Sequence, residues 1–186
     1  MKDVKILAIV GMSGCGKSVV VDYLTERGMP KIYFGGMNFK EMTKRGIPIT
    51  PENETRFREE IRATEGEDWV GRQAVAEAKD LIAAGQKHIV LDGLYSWTEY
   101  KLFKHEFPGQ VTIIAVVAPK KLRYERLAHR PERPFTPAEV RDRDRSEIEK
   151  VEKGGPIAAA DYYLLNDRSV DELYASLKDI LNDLGL

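Results

Sequence analysis

Eight consecutive residues near the start of the chain, Gly11-Met12-Ser13-Gly14-Cys15-Gly16-Lys17-Ser18, fit the pattern G-x-x-x-x-G-K-[ST] without a gap. That spacing suits one kind of chemistry, the gripping of a polyphosphate. Glycines let backbone N–H groups curl around phosphate oxygens where a side chain would block the approach. A helix starting at the end of the loop adds positive potential. Lys17 is then placed to reach β- and γ-phosphates, and the Ser18 hydroxyl to ligate magnesium. The flanks agree with this reading. The short apolar run Lys5–Val10 enters the loop like a strand, and Val19, Val20, Tyr23 and Leu24 begin a helix behind it. Contacts to the nucleotide are expected from Gly11, Met12, Ser13, Gly14, Cys15, Gly16, Lys17, Ser18 and Val19. Cys15 stands at a free position of the motif; the helix start could lower its pKa, but it is read as filler.

A second chemical group is Asp92, which ends the hydrophobic run Ile89-Val90-Leu91 and precedes Gly93. A carboxylate at the C-terminal end of a parallel strand faces the crevice that holds the phosphate loop. There it would hold magnesium together with Ser18, directly or through water, and could orient an attacking hydroxyl. A third group is the arginine-rich segment carrying Arg123, Arg126, Arg130, Arg133, Arg141, Arg143 and Arg145, interleaved with acids such as Glu125, Glu139, Asp144 and Glu147. Much of it reads as a solvated helix laced with weak i, i+4 pairs. Arg126 and Arg130 stand apart, one helical turn from each other just after a crevice-facing strand. One guanidinium can stack on a base and the other can stabilise a phosphoryl group in transfer.

These groups need a sheet to bring them together. Candidate strands lie at Lys5–Val10, Lys31–Phe34, His88–Leu91, Val111–Val117 and Asp161–Leu165, apolar on successive residues as expected when both faces are buried. Helical patterns alternate with them, which points to a three-layer α/β/α sandwich on a parallel sheet. Ser96-Trp97-Thr98-Glu99 and Ser169-Val170-Asp171-Glu172 read as capping boxes, and Thr50-Pro51 and Thr136-Pro137 as helix starts. Val170, Leu173, Tyr174, Leu177, Ile180, Leu181 and Leu184 form one apolar stripe at helical spacing. Two stretches exceed the simple alternation: residues 35–85, with room for about three helices, and the arginine-rich residues 131–155. Such additions beside a nucleotide site bind a second substrate or close as a lid. A single domain is expected, with its core in residues 1–34, 86–130 and 156–186.

Composition narrows the partners. The chain has 186 residues, 42% hydrophobic and 32% charged, the make-up of one globular domain. With 29 basic and 30 acidic side chains the net charge is -1, which argues against a nucleic-acid coat or an anionic-membrane binder. A lone cysteine forms no internal disulfide and fits a cytoplasmic setting. The start of the chain, Met1-Lys2-Asp3-Val4-Lys5, leads into an apolar run cut short by glycines, so it reads as a strand rather than a targeting segment. His88, His105 and His129 lack ligand spacing.

Taken together, the phosphate loop, Lys44-Arg45-Gly46-Ile47-Pro48-Ile49-Thr50-Pro51-Glu52-Asn53, Arg62 before Gly66, Val90-Leu91-Asp92-Gly93, Arg123-Tyr124-Glu125-Arg126-Leu127, Arg143-Asp144 and Ala160-Asp161-Tyr162-Tyr163-Leu164-Leu165-Asn166 make the chain resemble a known group over nearly its whole length. It is similar to the nucleoside monophosphate kinase-like branch of P-loop enzymes, which includes adenylate kinases and dephospho-coenzyme A kinases. Most of all it resembles a largely archaeal family of predicted nucleotide kinases labelled dephospho-CoA-kinase-like. The resemblance implies five parallel strands in the order 2-3-1-4-5, ATP with Mg2+, Arg126 packed on the base, Arg130 at the phosphates and Asn166 near the adenine. The chain also departs from that pattern. Relatives carry Gly-Asp after the second strand and an arginine three residues beyond it, where this chain reads Gly35-Gly36-Met37-Asn38-Phe39. They carry another arginine just after Asp-Gly, where this chain reads Leu94-Tyr95-Ser96.

The expected activity is therefore transfer of the γ-phosphoryl of ATP to a small nucleotide-like acceptor, dephospho-CoA or a nucleotide among the candidates. Lys40, Arg56, Arg58 and Arg62 are open as replacements for the missing arginines. The alternatives are an ATPase or nucleotide-dependent switch with a protein or RNA partner, and a binding module without catalysis. The acceptor and the oligomeric state are left open.

Overall fold

A computed structural model describes residues 3–131 and 134–186 of the chain. The expectations at Met1, Lys2, Glu132 and Arg133 lie outside the described residues. Five strands, β1 (Lys5–Val10), β2 (Lys31–Tyr33), β3 (His88–Asp92), β4 (Val111–Val117) and β5 (Tyr162–Leu165), pair in parallel in the order β2-β3-β1-β4-β5. This is the order that the resemblance implied.

Alternation along the central strand builds two cores. Ile6, Ala8 and Val10 of β1 face one side and pack with Ile32, Phe34, Phe57, Trp69, Leu91 and Phe103. Leu7 and Ile9 face the other, against Val20, Leu24, Leu173 and Leu177. The second side is covered by α1 (Lys17–Thr25) and α9 (Val170–Asp183). The first is covered by α2 (Met37–Lys44), α3 (Pro51–Glu65), α4 (Trp69–Ala83) and α5 (Trp97–Glu106). Residues 35–85 thus hold three helices, introduced by a short 3-10 turn at Phe34–Gly36.

The strands depart from the sequence reading at their ends. Strand β2 stops at Tyr33 because Phe34-Gly35-Gly36 turns into the helical stretch. Strand β3 runs one residue further than expected, and Asp92 lies in register with Ile9 and Tyr33. The carboxylate thereby sits at the C-terminal end of the strand, as the sequence reading placed it. Strand β5 starts at Tyr162, and as an edge strand it buries Leu164 while Tyr163 and Leu165 stay exposed.

Helix starts follow the caps. The Ser96 and Ser169 side chains each accept from the backbone three residues on, and Glu99 and Glu172 return the bond. Thr50 caps α3, and Thr136 caps α7 (Pro137–Glu149) in a further capping box with Glu139. In α9 the stripe Leu173, Leu177 and Leu181 is buried, whereas Val170 at the first helical position is exposed. Two more helices, α6 (Lys120–Ala128) and α8 (Gly154–Ala158), bracket the arginine-rich lid region with α7. No helix among the described residues is long and apolar enough to cross a membrane.

Candidate active site

The loop between β1 and α1 follows from its glycines. Gly11 has φ 152°, and a Cβ there would lie 2.5 Å from the Val116 carbonyl oxygen of β4. Gly16 has φ 92°, and a Cβ there would run into the Asn166 side chain. Only glycine fits both the backbone angle and the space at that position. Helix α1 then starts at Lys17 with Gly16 as its N-cap and no side-chain cap.

The loop residues Gly11 to Ser18, together with Tyr95, Arg126, Arg130, Arg143 and Lys153, line a cavity of about 280 Å³. Lys17 forms an ion pair with Asp92, whose carboxylate lies beside the loop at the end of β3. Ser18 is exposed at the first turn of α1. Arg126 donates to Asn166 Oδ1 at 3.3 Å, and its other terminal nitrogen, Nη1, is buried without a partner among the described residues. Asn166 is itself buried and donates to the Cys15 carbonyl at 2.8 Å, so it braces the loop from β5. Val19 does not line the cavity; it packs towards the core under the sheet. Cys15 is buried, which pushes its thiol pKa up and leaves it inert. Among the described residues no cluster of His, Cys, Asp and Glu could hold a metal by itself.

A network that spacing did not reveal ties α7 to the loop. Both oxygens of the Glu147 carboxylate accept from Ser13, one from its amide at 3.0 Å and the other from its hydroxyl at 2.6 Å. Arg143 donates to the Ser13 hydroxyl at 2.8 Å. Arg123 donates to the Ser13 carbonyl at 2.9 Å and grips Asp144 through two bonds of 2.8 Å. Lys153 lies 2.8 Å from Glu147. Burial alone would push Glu147 up, but the Lys153 ammonium and the Ser13 donors outweigh it and hold the carboxyl below its ordinary range. Burial lowers Lys153 from the ordinary lysine range, with Glu147 offsetting part of the effect.

Beside this cavity opens a larger one of about 650 Å³, lined by Phe34, Phe39, Trp69 and Tyr95, by the cations Arg58, Arg62, Lys150 and Lys153, and by the carboxylates Glu54, Glu67, Glu99, Glu147 and Glu152. Three residues, Tyr95, Arg143 and Lys153, line both cavities. Of the candidate replacements for the missing arginines, Arg58 and Arg62 reach the larger cavity. Lys40 is taken by Glu77 at 2.7 Å on the exposed surface, and Arg56 lies against Asn53. Neither lines the cavity. Asn38, in the segment that replaces the usual acid, lines it and has its side-chain oxygen buried without a partner among the described residues.

A parallel sheet in this order, with a glycine loop after its central strand and α7 bonded to that loop, is a P-loop kinase-like fold. The fold is similar to that of a shikimate kinase from Bacteroides thetaiotaomicron, at TM-score 0.60 and 11% identity over 98% of this chain and 99% of that one. It is also similar to a gluconokinase from Sinorhizobium meliloti, at TM-score 0.57 and 17% identity over 98% and 95%. The family model described as AAA domain matches residues 7–152. A UPF0200 protein of Thermococcus kodakarensis is 34% identical over 182 residues, covering 96% of this chain and 97% of its own length. One from Hyperthermus butylicus is 36% identical over 182 residues, covering 96% and 94%. The chain belongs to the AAA domain family and, with these relatives, to the UPF0200 proteins.

Proposed function

We propose that the protein is a small-molecule kinase that moves the γ-phosphoryl of ATP to an acceptor held in the larger cavity. The observation that carries this is the junction of two cavities, one formed by the phosphate loop and one lined by aromatic rings and cations, sharing Tyr95, Arg143 and Lys153. A switch that only hydrolyses nucleotide has no need of a second cavity of about 650 Å³ beside the phosphates, a size usual for small-molecule sites.

The residues present fit a magnesium nucleotide. The uncapped start of α1 suits the phosphates, and Nη1 of Arg126, buried without a partner among the described residues, lies beside Gly16. Ser18 and Asp92 would hold the magnesium ion, which when bound neutralises phosphate charge. Lys17 would reach the β- and γ-phosphates, exchanging its Asp92 partner for phosphate oxygen in part. Arg126 and Arg130 would meet the base and the phosphates from α6. Closure of α7 over the loop, through Glu147 and Arg143 on Ser13, would keep water from the transferring group. Aromatic walls and a lining that mixes cations with carboxylates favour an acceptor with a planar or apolar body and polar groups, among which nucleotides and dephospho-CoA are candidates.

The test is ATP turnover with a panel of nucleosides, nucleotides, dephospho-CoA and sugar acids, with the phosphorylated product followed by mass spectrometry. ATP consumption that depends on one acceptor class supports the reading. Hydrolysis without an acceptor, unchanged across the panel, would replace it with an ATPase or switch. Lys17→Ala should abolish turnover while the fold is kept, and unchanged turnover would remove the loop from the chemistry.

A further inference from the structure

Lys153 is the only buried lysine among the described residues, at 8% exposure. It stands at the point where the two cavities meet. Its ammonium lies 2.8 Å from Glu147 and 4.7 Å from the centre of the Tyr95 ring. An ammonium has three N–H donors and a ring face takes charge but no strong hydrogen bond, so Lys153 has donors to spare. Burying a lysine is costly, and a plain structural partner for Glu147 could stand anywhere around that carboxylate. This one instead projects into the space between the phosphate loop and the acceptor cavity.

We propose that Lys153 is a γ-phosphate-binding residue, reaching the terminal phosphate of the bound triphosphate from the acceptor side while Lys17 reaches it from the loop. This rests on the kinase reading of the same site. Glu147 acts as its positioning residue: anchored on the Ser13 amide and hydroxyl, it fixes the ammonium relative to the loop. The arrangement would place a compact point charge beside the transferring group, in a cavity that Arg126, Arg130 and Arg143 also line. The charged groups facing Lys153 are Glu147 and Arg143 of α7 and Lys17 of α1. Both cations already have carboxylate partners, Lys17 in Asp92 and Arg143 in Glu147 at 3.3 Å, so a phosphate at the junction would share them with those acids.

The test is calorimetry of the full-length protein with magnesium and two nucleotides, ADP and a non-hydrolysable ATP analogue, for wild type, Lys153→Met, Lys153→Arg and Lys17→Ala. Lys153→Met should weaken the triphosphate analogue about ten- to a hundredfold, the loss expected for one charged contact. It should change ADP affinity less than about threefold. Lys153→Arg should keep most of the triphosphate affinity, and Lys17→Ala should weaken both nucleotides. If a folded Lys153→Met binds both nucleotides as wild type does, or loses both equally, the assignment is wrong. Should that variant not fold by circular dichroism, Lys153→Gln, which keeps a donor for Glu147, carries the same comparison. Wild-type protein that binds neither nucleotide would overturn the kinase reading itself, an outcome distinct from a Lys153 variant that leaves the two affinities in their native ratio.

Discussion

Arg123 offers the sharpest test of how the lid is held. Its guanidinium makes two bonds of 2.8 Å to Asp144 of α7 and one of 2.9 Å to the Ser13 carbonyl of the loop. The side chains of the pair are only 10% and 14% exposed. The first cause of its raised pKa is the hydrogen bond to Asp144, so the charge is fixed in place. Arg123→Met removes the cation and keeps much of the volume, leaving Asp144 buried without a counter-charge. Breaking a buried pair from one side costs about 3–5 kcal/mol. The residual exposure of both partners puts the expectation at the lower end, about 3 kcal/mol. That is a large share of a total stability of about 5–15 kcal/mol. Replacing both partners, as in Arg123→Met with Asp144→Leu, removes the stranded charge. The double variant should then lose only about 1 kcal/mol, the cost of one unsatisfied Ser13 carbonyl. Urea unfolding of wild type, both single variants and the double variant closes the cycle. A single-variant loss below about 1 kcal/mol, or a double variant as unstable as the sum of the singles, would refute this account of α7 docking.

Gly16→Ala combines an unfavourable φ with a collision against Asn166. It should cost about 1–3 kcal/mol in unfolding free energy and weaken nucleotide binding, and a variant as stable as wild type would contradict the loop geometry. The pH dependence of stability should change in Glu147→Gln. Because the folded pKa of Glu147 lies below its unfolded value, its stabilising effect is present above the ordinary glutamate range and is lost as pH falls through the folded value. The stability gap between wild type and Glu147→Gln should therefore narrow on acidification in denaturant titrations, and a gap independent of pH would count against the Lys153 and Ser13 contacts. Ser169→Ala removes the N-cap of α9 and should cost about 1 kcal/mol by thermal melting.

The sheet was legible because its information is local. Each strand is a short apolar run, and each of the four predicted helix starts carries a capping residue whose partner stands three positions away. The phosphate loop was legible for the same reason, since Gly11 to Ser18 is one continuous string. The misreadings fall where local preference meets tertiary context. Sequence alone ends the strand at Leu91 with Asp92 just beyond it, yet pairing with Ile9 and Tyr33 carries the strand through the acid. Strand β5 reads as buried on both faces, but at the edge of the sheet the helices cover only the face of Leu164 and leave Tyr163 and Leu165 exposed.

The lid shows why composition alone could not rank its arginines. Arg145 pairs with Glu149 at 3.0 Å one turn away on an exposed face, as the spacing of the solvated-helix reading requires. Arg143 has the same spacing to Glu147, at 3.3 Å, but also reaches Ser13, 130 residues away in sequence. Arg123 meets Ser13 across 110 residues and Glu147 meets it across 134. Contacts of that range leave no periodicity behind, so the same residue types carry opposite roles with identical local signatures. Ser13 is where these contacts converge: α7 engages its amide and hydroxyl through Glu147 and Arg143, and α6 engages its carbonyl through Arg123. A lid coupled to the loop through one loop residue would register any shift of the loop on nucleotide binding as a shift of Glu147, and through it of Lys153.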